Sequence, residues 1–147
     1  MEYEYSFKVS RLDKYIEYCE NNSYKKISQK YEKVIIFRNI NKTIARITFD
    51  NEKIYLDFKE DKLSNNVLNE RKETPKIIID NYNDVLKILN FLEYKEDNTL
   101  ERNRIVYEKN NVIFEFDSYI LPEKAYVVSL EGDKVIVDKI YNEIMNL

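Results

Sequence analysis

Histidine is absent from these 147 residues, glycine and cysteine occur once each, and proline occurs twice. Each shortage removes a class of chemistry. Without histidine there is no Ser–His or Cys–His couple and no imidazole ligand for a metal. The one cysteine, Cys19, has no partner within the chain for a disulfide. The one glycine, Gly132, leaves no material for a GxGxxG turn or a Walker A loop, which excludes a Rossmann dinucleotide site and a P-loop nucleotidase. No apolar run approaches the roughly 18 residues that suggest a membrane span, and the first residues are charged, so a cytoplasmic protein without membrane contact is expected. The net charge of −3 gives no bulk attraction to nucleic acid.

What the chain does have is enough apolar material for a core, 44% hydrophobic residues, alongside 35% charged ones. One domain over residues 1–147 is expected. Any metal must sit on oxygen ligands, which favours Mg²⁺, Mn²⁺ or Ca²⁺ over zinc. The opening stretch, residues 1–9, alternates Glu2, Glu4, Ser6 and Lys8 with Tyr3, Tyr5, Phe7 and Val9. A strand sends alternate side chains to opposite faces, so one face is charged and the other aromatic and aliphatic.

Similar alternation recurs over residues 24–37, 43–49, 53–60, 67–79, 100–109, 112–117 and 125–131, with a break at Pro75. Three helices are predicted between and after these strands. The first follows Ser10 as a candidate N-cap and stops at Asn21-Asn22. The second follows Asp80-Asn81 and ends near Tyr94, and the third spans 134–145. Asn110-Asn111 marks a hairpin turn, and residues 61–66 a polar loop. The expected class is α+β: eight mostly antiparallel strands, inviting closure into a barrel or tunnel, with about three flanking helices.

The polar strand faces carry Glu2, Glu4, Lys8, Lys26, Arg46, Asp57, Lys59, Arg71, Glu73, Arg102, Arg104, Glu115, Asp117 and Glu131. Two arrangements satisfy this pattern. A two-layer sheet would turn these faces to solvent, where charged residues ordinarily lie. A closed barrel would turn them inward, where cations suit phosphate oxygens and carboxylates suit a divalent ion.

In order and spacing, these segments resemble the CYTH family, the triphosphate tunnel proteins that include class IV adenylyl cyclases, thiamine triphosphatases and inorganic triphosphatases. Glu2-Tyr3-Glu4-Tyr5-Ser6 stands where the family has ExExK. Gln29-Lys30-Tyr31 resembles a Q-x-Y step, Arg46-Ile47-Thr48 an R-x-R strand, and residues 55–59 a strand ending in a tunnel lysine. Arg71-Lys72-Glu73 resembles R-x-E, residues 102–107 K-x-R-x-x-Y, and Phe116-Asp117 with Ser129-Leu130-Glu131 the last acidic positions. Three positions depart: Ser6 replaces a lysine, Thr48 an arginine and Ser129 a carboxylate. Lys8 lies one pleat beyond Ser6 on the same face.

The resemblance implies a small-molecule partner, a polyphosphate or nucleotide, and Mg²⁺ or Mn²⁺ as cofactor. It implies metal binding by Glu2, Glu4, Asp117 and Glu131, and phosphate binding by Lys26, Arg46, Lys59, Arg71, Arg102 and Arg104. Lys8 and Lys59 are the expected catalytic groups. Two functions follow: a divalent-metal-dependent triphosphate hydrolase or adenylyl cyclase-like enzyme, or a tunnel that binds or scaffolds without turnover.

Overall fold

Alternation along the first strand decides which way the sheet faces. In the computed structural model, which describes residues 1–62 and 66–147, β1 (Glu2–Val9) packs Tyr3, Tyr5, Phe7 and Val9 into a hydrophobic cluster and turns Glu2, Glu4 and Ser6 to the opposite side. The chain continues through α1 (Asp13–Asn21), β2 (Lys25–Arg38), β3 (Thr43–Phe49), β4 (Ile54–Glu60), β5 (Leu68–Arg71) and β6 (Ile77–Ile78). It then runs through α2 (Tyr82–Phe91), β7 (Lys95–Lys109), β8 (Val112–Leu121), β9 (Ala125–Glu131) and α3 (Lys134–Ile144). The class is α+β. One sheet has the order β5-β1-β9-β8-β7-β2-β3-β4-β6, and its ladders are all antiparallel.

The sheet therefore has nine strands where eight were expected. The expected strand over 67–79 splits around Pro75, and its halves pair at opposite ends of the sheet. β5 pairs with β1, and β6 pairs with β4. The ladder order is open, with β5 and β6 as its two edges. Between them, Thr74 N–H donates to Phe58 C=O (2.9 Å) and Glu60 N–H donates to Lys72 C=O (3.0 Å), so this one segment touches both β1 and β4. The loop expected over 61–66 lies largely outside the described residues.

Helices cover one face only. α1 and α3 pack on β1, β8 and β9 through Tyr15, Cys19, Phe114, Phe116, Leu130, Val137 and Ile144. α2 packs on β2, β3 and β4 through Ile35, Ala45, Ile47, Leu56 and Leu89. Asn81 caps α2 by accepting from Asp84 N–H (3.1 Å), and Asp133 caps α3 by accepting from Ile136 N–H (3.4 Å). Ser10 is not the cap of α1: Leu12 holds that position and gives no side-chain bond. At the β7–β8 hairpin, Asn110 and Asn111 both take positive φ (50° and 65°), as a type I′ turn requires.

β7 begins five residues earlier than the alternation suggests. Residues 95–99 are polar, but they pair with β2 from Ile35 to Arg38, most of it the apolar run Ile35-Ile36-Phe37. The partner strand dictates the conformation there, which is how tertiary context overrides local propensity.

Candidate functional site

On the face away from the helices lies a cavity of about 350 Å³ whose walls are mostly ionised. Glu2, Glu4, Arg46, Lys59, Arg71, Arg102, Arg104, Asp117 and Glu131 all line it. They come from β1, β3, β4, β5, β7, β8 and β9, each placed by the period-two alternation of its strand. Burial of these groups is deep: Glu4, Lys59, Arg102 and Asp117 expose between 1% and 7% of their surface. Isolated charges do not survive such burial, and here each cation meets a carboxylate.

Arg104 is the centre of the ionic network. Its Nε and Nη2 donate to the two oxygens of Asp117 (2.7 and 2.9 Å), and its Nη1 lies 2.9 Å from Glu115 Oε2. Burial works against the charged guanidinium, but Glu115 and Asp117 outweigh it and hold its pKa well above the ordinary arginine value. Arg102 Nε donates to Glu32 (3.0 Å), and Nη1 donates to the Tyr119 hydroxyl (3.3 Å). Arg46 forks onto Asp57 and reaches Glu73 Oε1 (2.9 Å). Lys59 Nζ lies 2.5 Å from Glu2 Oε1, and Arg71 Nη2 lies 3.7 Å from Glu4. Arg71 Nε is buried with no hydrogen-bond partner among the described residues.

Glu2, Glu4 and Glu131 place one carboxylate oxygen each within 4.8 Å of one another. Lys59 and Arg71 offset part of the repulsion among three carboxylates so close, and the proton distribution reflects what is left. Burial pushes Glu131 up to about 9, with the charges of Glu115 and Glu2 adding to it. Burial and a proton shared with Glu2 push Glu73 up to about 7. Burial also pushes Glu2 upward, but bonds from Glu73 and Glu131 and the Lys59 ammonium outweigh it and hold Glu2 at about 2. The cluster therefore holds protons where a divalent cation would displace them. An all-oxygen set of this kind suits Mg²⁺ or Mn²⁺.

Asp117 stands apart from this trio, with both oxygens taken by Arg104. Lys8 is exposed and borders a neighbouring cavity instead. Lys26 is also exposed, because a β-bulge between Lys26 and Ser28 reverses the faces of β2. Lys26 pairs with Tyr107 on the helix side, whereas Ser28 pairs with Val106. Its ammonium bonds the Gln29 side chain.

Sequence reasoning passed over Glu32, which is 8% exposed and bonds Arg102. Its signal was present: Glu32 continues the even-numbered face of Val34 and Ile36. The polar run before it hid that face. Glu115, Asp57 and Glu73 were visible on polar faces but had no assigned role until their arginines were placed.

No protein-family signature matches the chain, and no curated protein sequence does. Solved structures match closely in shape. The PH1012 protein of Pyrococcus horikoshii superposes with a TM-score of 0.79 at 19% identity, over 99% of this chain and 88% of that one. HpAC1 of Hippeastrum, an adenylyl cyclase candidate described as having a dominant triphosphatase activity, gives 0.70 at 15% identity, over 99% and 87%. The fold is CYTH-like. An adenylate cyclase candidate of Bacillus halodurans gives 0.62 at 15%, over 99% and 88%. At these identities the likeness to the CYTH-like structures is one of fold.

Proposed function

We propose that the chain binds the phosphate chain of a triphosphate or nucleotide inside the ionic cavity, together with Mg²⁺ or Mn²⁺, and hydrolyses or cyclises it. The observation that carries this reading is the meeting of a three-carboxylate cluster with five buried or half-buried cations, Arg46, Lys59, Arg71, Arg102 and Arg104, in one cavity. In this reading the segment between β5 and β6 completes a tunnel wall by joining β1 to β4. The triphosphatase and adenylyl cyclase chemistries named for structures of the same fold are the two that such a cavity suits.

Glu2, Glu4 and Glu131 would hold the cation, with Asp117 orienting Arg104. A bound Mg²⁺ or Mn²⁺ supplies charge neutralisation and polarises a phosphoryl oxygen or a water. The chain's own work is positioning. Arg104 and Arg102 present guanidinium N–H groups held in fixed orientation by Asp117, Glu115 and Glu32. Fixed donors cost no reorganisation as phosphoryl charge develops. Arg71 Nε, a buried donor with no partner among the described residues, would take a phosphate oxygen. Lys59 can release Glu2 to the cation and turn to the phosphate.

Binding without turnover is the second reading, and one contact favours it. Ser6 and Ser129 occupy facing positions on β1 and β9 and bond each other at 3.2 Å, so no charged group works there. Incubation with ATP, thiamine triphosphate and tripolyphosphate plus Mn²⁺ or Mg²⁺ separates the readings: phosphate or pyrophosphate release supports catalysis, and saturable binding without release supports the second. Absence of binding to all three, or tight binding that survives Arg102→Ala, defeats both.

A further inference from the structure

The cations around the ionic cavity fall into two groups by the carboxylates that hold them. Arg46, Arg102 and Arg104 are held by Asp57, Glu73, Glu32, Glu115 and Asp117, none of which belongs to the three-carboxylate cluster. Lys59 and Arg71 are held by Glu2 and Glu4, two of the three members of that cluster. A divalent cation on the cluster would take over the carboxylates of the second group and leave those of the first in place. The charge released toward an anion is therefore greatest around Lys59 and Arg71. Arg71 also carries the buried Nε that has no partner among the described residues.

A third cation meets this pair. Lys62 follows β4, lines the ionic cavity at its rim and makes no ion pair among the described residues. Its backbone is pinned: Lys62 N–H donates to Asp61 Oδ1 (2.9 Å), and Asp61 accepts from Arg38 Nε (2.8 Å) and donates its own N–H to Lys42 C=O (2.8 Å). Partial burial and the Arg71 charge push the Lys62 ammonium below the ordinary lysine value. Glu4 opposes them and Lys59 adds to them. Lys62 is thus set beside two like charges, an arrangement that an anion among the three relieves.

We propose that Lys62 is a phosphate-binding residue, which with Arg71 and Lys59 takes the phosphate beside the cation. The inference rests on the phosphate reading of the ionic cavity. The three donors differ in kind. Arg71 presents a rigid planar fork from β5, whereas Lys62 carries a compact charge with rotatable donors on a flexible stem and can follow the phosphate into place. Lys72 is the natural comparison. It is a chain neighbour of Arg71, it is exposed, and it does not line the ionic cavity.

Calorimetry with tripolyphosphate and Mn²⁺ on the wild-type chain, Lys62→Ala, Lys62→Arg and Lys72→Ala provides the test. Lys62→Ala should weaken binding about tenfold, the loss of one charge-assisted contact. Lys62→Arg restores the charge and should stay within about threefold of the wild type, and Lys72→Ala within about twofold. Lys62 is exposed, so its variants should keep the wild-type melting temperature. Mn²⁺ alone should bind Lys62→Ala no more weakly than the wild type, which a mere support of the carboxylate cluster would not allow. Unchanged tripolyphosphate binding by Lys62→Ala, an equal loss in Lys72→Ala, or a loss of Mn²⁺ binding in Lys62→Ala overturns the role of Lys62 and leaves the phosphate reading standing. Absence of tripolyphosphate binding by the wild type overturns both.

Discussion

The two faces of the sheet are built from the same strands by opposite rules. Under the helices, Phe114, Phe116, Val128 and Leu130 are fully buried and touch apolar groups. On the other face, Asp57, Asp117 and Lys59 are buried as deeply but are held by opposite charge. The apolar side gains from each side chain removed from water. The ionic side gains little net stability, because desolvation cancels most of the attraction. A face that contributes so little to stability and is nonetheless fully organised is best understood by what it binds.

Breaking the ionic side at its centre should have the largest effect. Arg104→Ala leaves Asp117 and Glu115 without their arginine, while Glu32 keeps Arg102. Loss of one partner of such a set costs about 3–5 kcal/mol. Urea denaturation should show that loss, and tripolyphosphate binding with Mn²⁺ should disappear even where the variant is folded. Retained binding would remove Arg104 from the site. Leu89→Ala is the matching change on the apolar side, in the cluster under α2. It should cost about 3 kcal/mol through the cavity it leaves. Affinity per folded molecule should be unchanged, and a selective loss of binding would mean the two faces are not independent.

How much of this contrast can be read from the sequence depends on the element. The alternation in β1, β3 and β9 places Glu2, Glu4, Arg46 and Glu131 on the correct face, because an unbroken strand has a strict period of two. Lys26 cannot be placed that way, since one bulge inverts every residue before it. The separation of β5 from β6 is equally hidden, because Pro75 announces a break but not that the halves join opposite edges. Glu32 needs its partner Arg102, seventy positions away, and periodicity carries no information about partners. Sequence alternation alone also leaves open whether a charged face is wet, and that is settled only by the burial of Asp57 and Asp117.

The next test is graded and uses pH. The unfolded chain releases the Glu131 proton near 4.5, whereas the folded chain keeps it to about 9. Between those values the folded state holds more protons, so without metal stability falls as pH rises. Cation affinity moves the opposite way, because the ion must displace that proton. Mn²⁺ binding should tighten by up to about tenfold per pH unit between roughly pH 6 and 9, with proton uptake by the buffer. A flat profile would take Glu131 out of the cation site.

The smallest effect sharpens the comparison where the two faces meet. Glu131 ends β9 on the ionic side, and Asp133 caps α3 on the apolar side, so Gly132 alone turns the chain between them. Its φ of +152° is one that side chains rarely adopt, and an added Cβ would stand 3.1 Å from both the Asn111 carbonyl oxygen and Val137 Cγ2. Gly132→Ala should cost roughly 1–2 kcal/mol, since the native backbone there is incompatible with a Cβ. The strain can relax in either direction. If the chain yields toward α3, Mn²⁺ affinity is kept and only the melting temperature falls. If it yields toward β9, Glu131 leaves the carboxylate trio and affinity falls further than stability. Since Val137 is fully buried and Glu131 is not, the softer side is β9, and the expected result is the second. Measuring both quantities on this one variant decides whether the ionic face is held in place by the hydrophobic core beneath the helices.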